Sequence, residues 1–288
     1  MIPEVFVLQG LLLPATVLGL LLACAWWGER SWPWLGPVGI ALGWAFGFRA
    51  SNGAWPEYPP GRATEMLFYL GVVAGLMCAT EGLRGARGKP ISVLARLPFA
   101  VAAPWLLLRN LVERWETSEA VVQLGAAALF LWGTWSAFEA LARRRSGPVT
   151  PLLLWVVMAA GAVAFLWTGS ALYAQFGGTL AAFFGAALVV SLVRPRLSLA
   201  HGTAGAVGLV FGCLCVGAVH FSRLTPTAAV LLGWAPAAAL LAGRGRESLA
   251  RLSWKHVLVR VLLVAVPLGI GLYLAHLAAP PPNPYDGY

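Results

Sequence analysis

The sequence predicts an all-α integral membrane protein, a polytopic bundle of about ten transmembrane helices. Of its 288 residues, 59% are hydrophobic and only 11% are charged, and the mean hydropathy is +0.77. Soluble domains carry about 25% charged residues, so this composition excludes a soluble protein. One helix needs about 20 apolar residues to cross the hydrocarbon layer, and apolar blocks fill most of the chain. We therefore expect a single transmembrane domain over residues 1–288, with a short extracytoplasmic tail at 279–288.

Apolar windows of about 19 residues define the helices in order. The N-terminal segment 1–10 contains Glu4 and no Lys or Arg, whereas a cleaved signal peptide begins with positive charge. We therefore expect this segment to lead into the first membrane helix and not to be a cleaved signal peptide. The second is short and Gly-rich, which is compatible with a tilted, re-entrant or merged helix. The sixth and seventh are separated only by Thr168, Gly169 and Ser170, and charged or proline-rich loops bound the others. The predicted helices, numbered one to ten, are residues 5–27, 34–48, 66–83, 91–108, 120–142, 150–168, 171–193, 199–221, 227–243 and 257–278.

Lys and Arg are distributed unevenly between the two sides of this bundle. With ten helices, the odd-numbered loops hold thirteen of them and the even-numbered loops five, while Arg96 and Arg260 lie within helices. Because short cytoplasmic loops carry the excess of Lys and Arg, we predict that the odd loops are cytoplasmic and both termini are outside. Topology thus explains the formal charge of +9, and we expect a lipid bilayer and no nucleic acid as partner. The expected location is a bacterial cytoplasmic membrane.

Three ionisable residues lie inside predicted helices, where an unpaired charge costs about 3 kcal/mol or more. Glu81, Arg96 and Glu139 fall toward the cytoplasmic ends of helices three, four and five. Glu81 and Arg96 flank one hairpin, which predicts an ion pair between adjacent helices, and Glu139 is expected near Arg143. The group is interpreted either as a proton or anion site or as a structural ion pair. Arg260, near the start of helix ten, is expected to extend to the interface.

The four histidines mark helix ends. His201 and His220 lie at the two ends of helix eight, and His256 and His276 lie at the two ends of helix ten. Such an arrangement could present two bis-histidine haem sites, one near each membrane face. At about 100° per residue, however, these spacings turn the ring by about 100° and 200°, so neither helix offers both rings to one partner face. We therefore predict no cofactor. The four cysteines lie in apolar blocks, where a thiol acts as a small hydrophobe, and predict neither disulfide nor metal.

Catalytic motifs are scarce in this sequence. Ser170 and His220 offer a serine and a base at the outer ends of helices, but the residues 168–171, Thr-Gly-Ser-Ala, lack the Gly-x-Ser-Gly of rhomboid proteases. Ser170 is better interpreted as a helix cap. Asp286 is the single aspartate, and no phosphate loop or His-Glu-x-x-His motif is present. ATP hydrolysis, zinc proteolysis and paired-aspartate chemistry are thereby excluded for this chain alone.

Two kinds of surface are candidates for a partner. The loop 49–65 combines aromatic residues, prolines and two glutamates, and the Pro-rich tail favours polyproline II. Helices seven and eight carry small residues at every fourth position, which allow close helix approach. These stripes predict either a dimerisation face or ordinary packing inside the bundle. Their members are Gly177, Ala181 and Gly185, and Ala204, Gly208 and Gly212.

Size and helix count favour a transporter or flippase of a small or lipid-like solute. A non-catalytic subunit or scaffold of a larger membrane complex is the alternative, through the loop 49–65 or helices seven and eight. An intramembrane enzyme acting on lipid or peptide is the second alternative, and we lean against an enzyme. If the protein is a transporter, five polar residues are expected along the substrate path: Glu81, Arg96, Glu139, Tyr173 and Gln175.

Overall fold

The computed structural model describes residues 11–27, 34–86, 96–144, 147–194, 198–200, 202–242 and 254–280, and none of these residues lies in a strand. The all-helical fold class is therefore confirmed. Ten α-helices occur in the described ranges, one at each predicted position. They are α1 Leu13–Trp27, α2 Leu35–Asn52, α3 Ala63–Ala86, α4 Leu97–Val112, α5 Thr117–Arg144, α6 Val149–Trp167, α7 Ala171–Val193, α8 Thr203–Phe221, α9 Pro226–Ala238 and α10 Trp254–Leu277.

Six of these helices are long and apolar enough to cross a membrane. They are α3, α5, α6, α7, α8 and α10, with apolar stretches of 19 to 27 residues against the roughly 20 that a span needs. Helices α1, α4 and α9 contain shorter apolar stretches. The molecule is thus a multi-pass helical protein, whereas a count of ten spans stays a prediction. The termini at 1–10 and 281–288 lie outside the described residues.

Local residue chemistry sets several helix ends. The Ser170 side chain accepts a hydrogen bond from the Tyr173 N–H and caps α7, as predicted. Thr225 caps α9 in the same way, with Pro226 in the first turn. Helix α2 continues to Asn52, beyond the predicted end at residue 48, and stops where Gly53 adopts the left-handed region at φ 74°. The predicted loop 49–65 therefore shrinks to a non-helical segment at 53–62, which we call the outer loop.

Helix α8 is the centre of the bundle. Every residue from Thr203 to Ala218 is buried, and α8 packs against α3 and α5 among its neighbours. Gly208 and Gly212 face Phe138 and Leu131 of α5, which occupy the space that a β-carbon would need. The small residues of α8 therefore serve contacts within this chain.

The hairpin of α6 and α7 packs closely along its length. A β-carbon on Gly177 would lie 3.0 Å from the Ala162 backbone, so this glycine sets the approach of the two helices. Gly43 and Gly47 of α2 similarly receive Phe183 and Thr179 of α7. The α7 stripe is thus covered on at least one side by the chain's own helices.

Large apolar side chains cover the outside of the bundle. Val101, Leu129, Leu192 and Val266 are each more than half exposed. Such a girdle is what a bundle surrounded by hydrocarbon presents, because lipid replaces water as the solvent of these surfaces. The exposed apolar surface therefore supports the membrane interpretation independently of helix length.

The two ends of the bundle differ in charge. We call the end that holds Arg84, Arg96 and Arg143 the basic end. There Gly202 contacts Cys78, and Thr203 contacts Gly36. We call the opposite end the acidic end for its glutamates at 57, 65, 113, 116 and 119, although the arginines at 49, 62, 109, 114 and 223 balance them in formal charge. There Trp115 lies against His220, with ring centroids 5.5 Å apart. The starts of α2 and α8 thus lie beside the end of α3, and the turn between α4 and α5 lies beside the end of α8, as an antiparallel succession of helices requires.

Candidate functional site

A buried ion pair joins α3 to the start of α4 at the basic end. Arg96 Nε donates to Glu81 Oε1 at 3.0 Å, and Arg96 Nη2 donates to Glu81 Oε2 at 2.9 Å. The Arg96 side chain is only 2% exposed. Two parallel hydrogen bonds between a guanidinium and a carboxylate are among the strongest polar contacts in proteins. The ion pair that the hairpin predicts is therefore confirmed.

A second pair lies on α5 beside the first. Arg143 Nε donates to Glu139 Oε1 at 2.8 Å, and Arg143 Nη2 lies 4.0 Å from Glu81 Oε2. Glu139 is buried, whereas the Arg143 side chain is 36% exposed. We call Glu81, Arg96, Glu139 and Arg143 the charged cluster. Its formal charges cancel, which lowers the cost of holding four ions away from water.

The charged cluster also serves the first turn of α8. Glu139 Oε2 accepts a hydrogen bond from the Gly202 N–H at 3.2 Å. The first N–H groups of a helix lack partners within it and carry partial positive charge, so a carboxylate stabilises this end. Gly202 is required here, because its φ is +101° and a β-carbon would lie 2.3 Å from the Cys78 carbonyl oxygen.

One face of α5 carries the cluster. Trp135, Glu139 and Arg143 are spaced by four residues and so lie on one side of the helix. The Arg96 guanidinium lies 4.9 Å from the centre of the Trp135 ring, which is a cation–π contact. Neither this role of Trp135 nor the capping role of Glu139 was predicted from the sequence. The four-residue spacing of Trp135, Glu139 and Arg143 on helix five is the sequence signal from which these roles could have been found.

An apolar groove opens next to Arg96 on the outside of α4 and α5. It has a volume of about 550 Å³. Leu97 in its lining follows Arg96 directly in the chain, and Gly125 leaves open space in the groove because a β-carbon there would meet no atom within 4 Å. We call this feature the α4/α5 groove. Its lining residues are Leu97, Pro98, Val101, Ala102, Trp105, Leu124, Gly125 and Ala128.

Tyr173 and Gln175, the other two predicted path residues, lie at the acidic end. Tyr173 is buried near Gly217 of α8, and its ring centre lies 6.3 Å from that of Phe165. Gln175 is half-buried, and its backbone carbonyl accepts a hydrogen bond from Thr179. Gly217 and Gly205, which contacts Glu139, are twelve residues apart on α8, or about 18 Å at 1.5 Å per residue. The structure thus brings three of the five predicted residues together and places two elsewhere.

Arg260 corrects one expectation. Its side chain is 1% exposed, so it is buried and does not extend to the interface as predicted. The cause is helical register, because Arg260, Val264 and Leu268 are spaced by four residues and all three are buried. Arg260 therefore lies on the inner face of α10, and the snorkelling interpretation is wrong.

The histidines and Ser170 are accounted for by local contacts. His220 packs on Trp115 and His276 on Trp167, while Ser170 caps α7 and forms no hydrogen bond with His220. His201 and the His256 side chain lie outside the described residues. Within the described ranges, no three His, Cys, Asp or Glu side chains gather as metal ligands would.

The outer loop is held to the helices by hydrogen bonds. Arg109 Nη2 donates to the Pro60 carbonyl at 2.7 Å, and Tyr69 Oη donates to the Glu57 carbonyl at 3.1 Å. Glu65 accepts from two backbone N–H groups at the end of the loop. These contacts fix the loop backbone on α3 and α4.

Aromatic side chains project from this fixed loop. Trp55 packs edge-on against Phe46 and Phe68 yet is 54% exposed, and Tyr58 is 85% exposed. No protein-family model, curated protein or solved structure matches this chain. Its functional assignment therefore rests on the charged cluster, the α4/α5 groove and the outer loop.

Proposed function

We propose that the protein is a transporter or flippase of a lipid-like solute with an anionic headgroup, in a cytoplasmic membrane with its basic end inside. The observation that carries this proposal is that an apolar groove open to lipid is lined by Leu97, the residue that follows Arg96 of the buried charged cluster. An amphiphile has the same two parts, a hydrocarbon chain and a polar head. The groove is suited to the hydrocarbon chain, and the charged cluster is suited to the polar head.

The groove suits the hydrocarbon part. All eight of its lining residues are apolar, so an acyl chain entering it desolvates no polar group. Trp105 and Val101 are more than half exposed, which leaves the groove accessible from the surrounding lipid. The groove thus guides a chain along α4 toward the basic end.

Arg143 suits the headgroup. It is the cluster's exposed cation, and guanidinium groups bind phosphate and carboxylate with paired hydrogen bonds. An incoming anion competes with Glu139 for Arg143, while Glu139 keeps the Gly202 N–H. The Arg96 and Glu81 pair is buried and joined by two parallel hydrogen bonds, so we assign it the role of positioning the cluster. Tyr173 and Gln175 are proposed as polar groups farther along the same path, toward the acidic end.

Lipid vesicles test this proposal. The protein is reconstituted in vesicles of phosphatidylcholine and phosphatidylglycerol that carry a trace of either lipid with a fluorescent label. A membrane-impermeant reductant then bleaches the outer leaflet. We expect the labelled phosphatidylglycerol to become bleachable beyond the outer-leaflet fraction, and faster than phosphatidylcholine. Rates equal to those of protein-free vesicles for both lipids would refute the proposal.

Two matched pairs of variants locate the path. Gly125→Trp fills the groove, whereas Leu129→Trp adds the same ring at a site that is 63% exposed to lipid. Arg143→Gln removes the proposed headgroup ligand, whereas Arg84→Gln removes an exposed charge at the same end. Loss of a charge-assisted hydrogen bond predicts a rate about tenfold lower in Arg143→Gln. Equal rates within each pair would contradict the assigned path.

The outer loop favours a second candidate function, a non-catalytic subunit or scaffold that binds another membrane protein. A fixed backbone that displays Trp55 and Tyr58 resembles the aromatic anchors of protein interfaces. Deleting the loop would also remove the Arg109 and Glu65 contacts, so Tyr58→Ala is the cleaner change. Native mass spectrometry of material from its own membrane should show a stoichiometric partner that Tyr58→Ala loses and Leu192→Ala keeps. A monomer in every case would remove this function.

A further inference from the structure

A second groove lies near the acidic end, where the end of α8 reaches the surface between α5 and α9. Val219 and His220 of α8 line it together with Phe130 and Gln123 of α5. The opening is bordered by Ala126, Pro226 and Val230, which are exposed. We call this feature the acidic-end groove. Since α8 is otherwise buried, this is where its last turn meets the surroundings.

Two polar side chains in this groove have no hydrogen-bond partner among the described residues. They are the Gln123 amide and the His220 imidazole, and both line the same space. The His220 ring is held by Trp115, with ring centroids 5.5 Å apart and an angle of 53° between the planes. Both side chains are half-buried, so a ligand in the groove can reach their polar atoms. A ligand that supplies an oxygen atom would satisfy both.

The size of the groove limits the ligand. Its volume is about 120 Å³, whereas an enclosed apolar cavity of about 150 Å³ holds one benzene ring. A single ring is therefore the largest group that fits, with part of it in the opening at Ala126 and Val230. The remaining lining is apolar, including Ala127, Val216 and Ala229. Small-molecule sites combine such an apolar wall with a few convergent polar groups. One six-membered ring with an oxygen substituent matches this combination.

We propose that the acidic-end groove binds a single-ring phenol or quinone group from the membrane phase, with Gln123 and His220 bonded to its oxygen. The imidazole and the amide each offer both a donor and an acceptor, so the site accepts a hydroxyl or a carbonyl oxygen. The open border at Ala126 and Val230 admits the ring from lipid. This site is separate from the charged cluster and does not depend on the transport proposal.

Fluorine NMR of 4-fluorophenol with the protein in lipid nanodiscs tests this site, and fluorobenzene, which lacks the hydroxyl, serves as the comparison probe. We expect saturable binding of one 4-fluorophenol per chain, displaced by unlabelled phenol and by a short-chain benzoquinone. The double variant Gln123→Leu with His220→Phe keeps the apolar shape and should bind about tenfold more weakly. Ala229→Phe should fill the groove and abolish binding.

Val122→Leu, on the lipid-facing side of α5, is the matched control and should leave binding unchanged. Thermal unfolding of each variant without a probe verifies that the fold is intact. Binding no greater than in empty nanodiscs would overturn the proposal. So would equal affinity for fluorobenzene and 4-fluorophenol, or an unchanged affinity in the double variant, since either result reduces the groove to an apolar space that lipid chains fill.

Discussion

The Glu81 and Arg96 pair predicts a large coupling energy. In Arg96→Met, Arg143 at 4.0 Å is the cation that remains beside the Glu81 carboxylate, and in Glu81→Leu the Arg96 guanidinium keeps its contact with the Trp135 ring. Removing one partner of a buried pair costs about 3–5 kcal/mol, because the remaining charge stays in a low dielectric. Replacing both partners by apolar side chains removes that penalty. The double variant then loses chiefly the cation–π contact, which contributes about 2 kcal/mol when desolvated.

Reversible unfolding in mixed micelles measures these free energies for the wild type, both single variants and the double variant. We expect each single change to cost about 3–5 kcal/mol and the double change about 2 kcal/mol, which is a coupling energy of at least about 4 kcal/mol. Arg84→Met, an exposed arginine on α3, is the control and should stay within about 0.5 kcal/mol. Costs that add in the double variant would refute the reasoning and show that the pair is not energetically buried.

Three further predictions concern packing and caps, each measured as a free energy of unfolding. Gly208→Leu should destabilise the protein by about 1–3 kcal/mol, because the leucine side chain would overlap Phe138. Gly125→Ala, with no atom within 4 Å of the new carbon, should be neutral or stabilising by up to about 1 kcal/mol. If Gly125→Ala were the more destabilising of the two, the described packing would be contradicted. Gly202→Ala should cost more than about 2 kcal/mol, since it strains φ and contacts the α3 backbone. Ser170→Ala should cost about 1 kcal/mol through the lost cap and leave lipid movement unchanged; loss of activity in a stable protein would restore a catalytic role.

The helix positions were predictable because apolar length dominates a membrane sequence. Helix ends were less so, since they depend on single polar contacts. Arg49, counted as a loop residue, donates to the Gly53 carbonyl and lies within α2. Helix α3 begins three residues before its predicted start at 66, with Glu65 bonded to the backbone just before it. Hydropathy averages over such contacts and so misplaces these ends by a few residues.

The candidate site was predictable only in part. Two helices that are joined by a short connection pack side by side, so Glu81 and Arg96 could be predicted to form a pair from their positions on either side of that connection. The contact of Glu139 with Gly202 joins residues 63 positions apart in the chain, and no local pattern specifies which helices pack at that distance. Arg260 was misplaced for a related reason. Its closeness to a helix start suggested the interface, but the direction of the buried face of α10 is a tertiary property.

The position of the charged cluster follows from the burial of α8. A helix buried along nearly its whole length needs acceptors for its first N–H groups, and Glu139 supplies one at Gly202. The buried Glu139 charge requires a cation, which Arg143 provides from the next turn of α5. The hydrogen bond of Glu139 with Gly202 and that of Arg143 with Glu139 are therefore explained by the stability of the fold, without any substrate.

Stability and transport can therefore be separated within one set of variants. If the cluster is only structural, the stable double variant Glu81→Leu with Arg96→Met will move labelled phosphatidylglycerol like the wild type. If the cluster acts on a headgroup, that variant will keep its fold and lose selectivity for the anionic lipid, because Arg143 will lose the Glu81 carboxylate beside it and keep Glu139 as its carboxylate partner. The double variant thus decides between the two roles more sharply than any single substitution, since it removes the charges without leaving one of them unpaired.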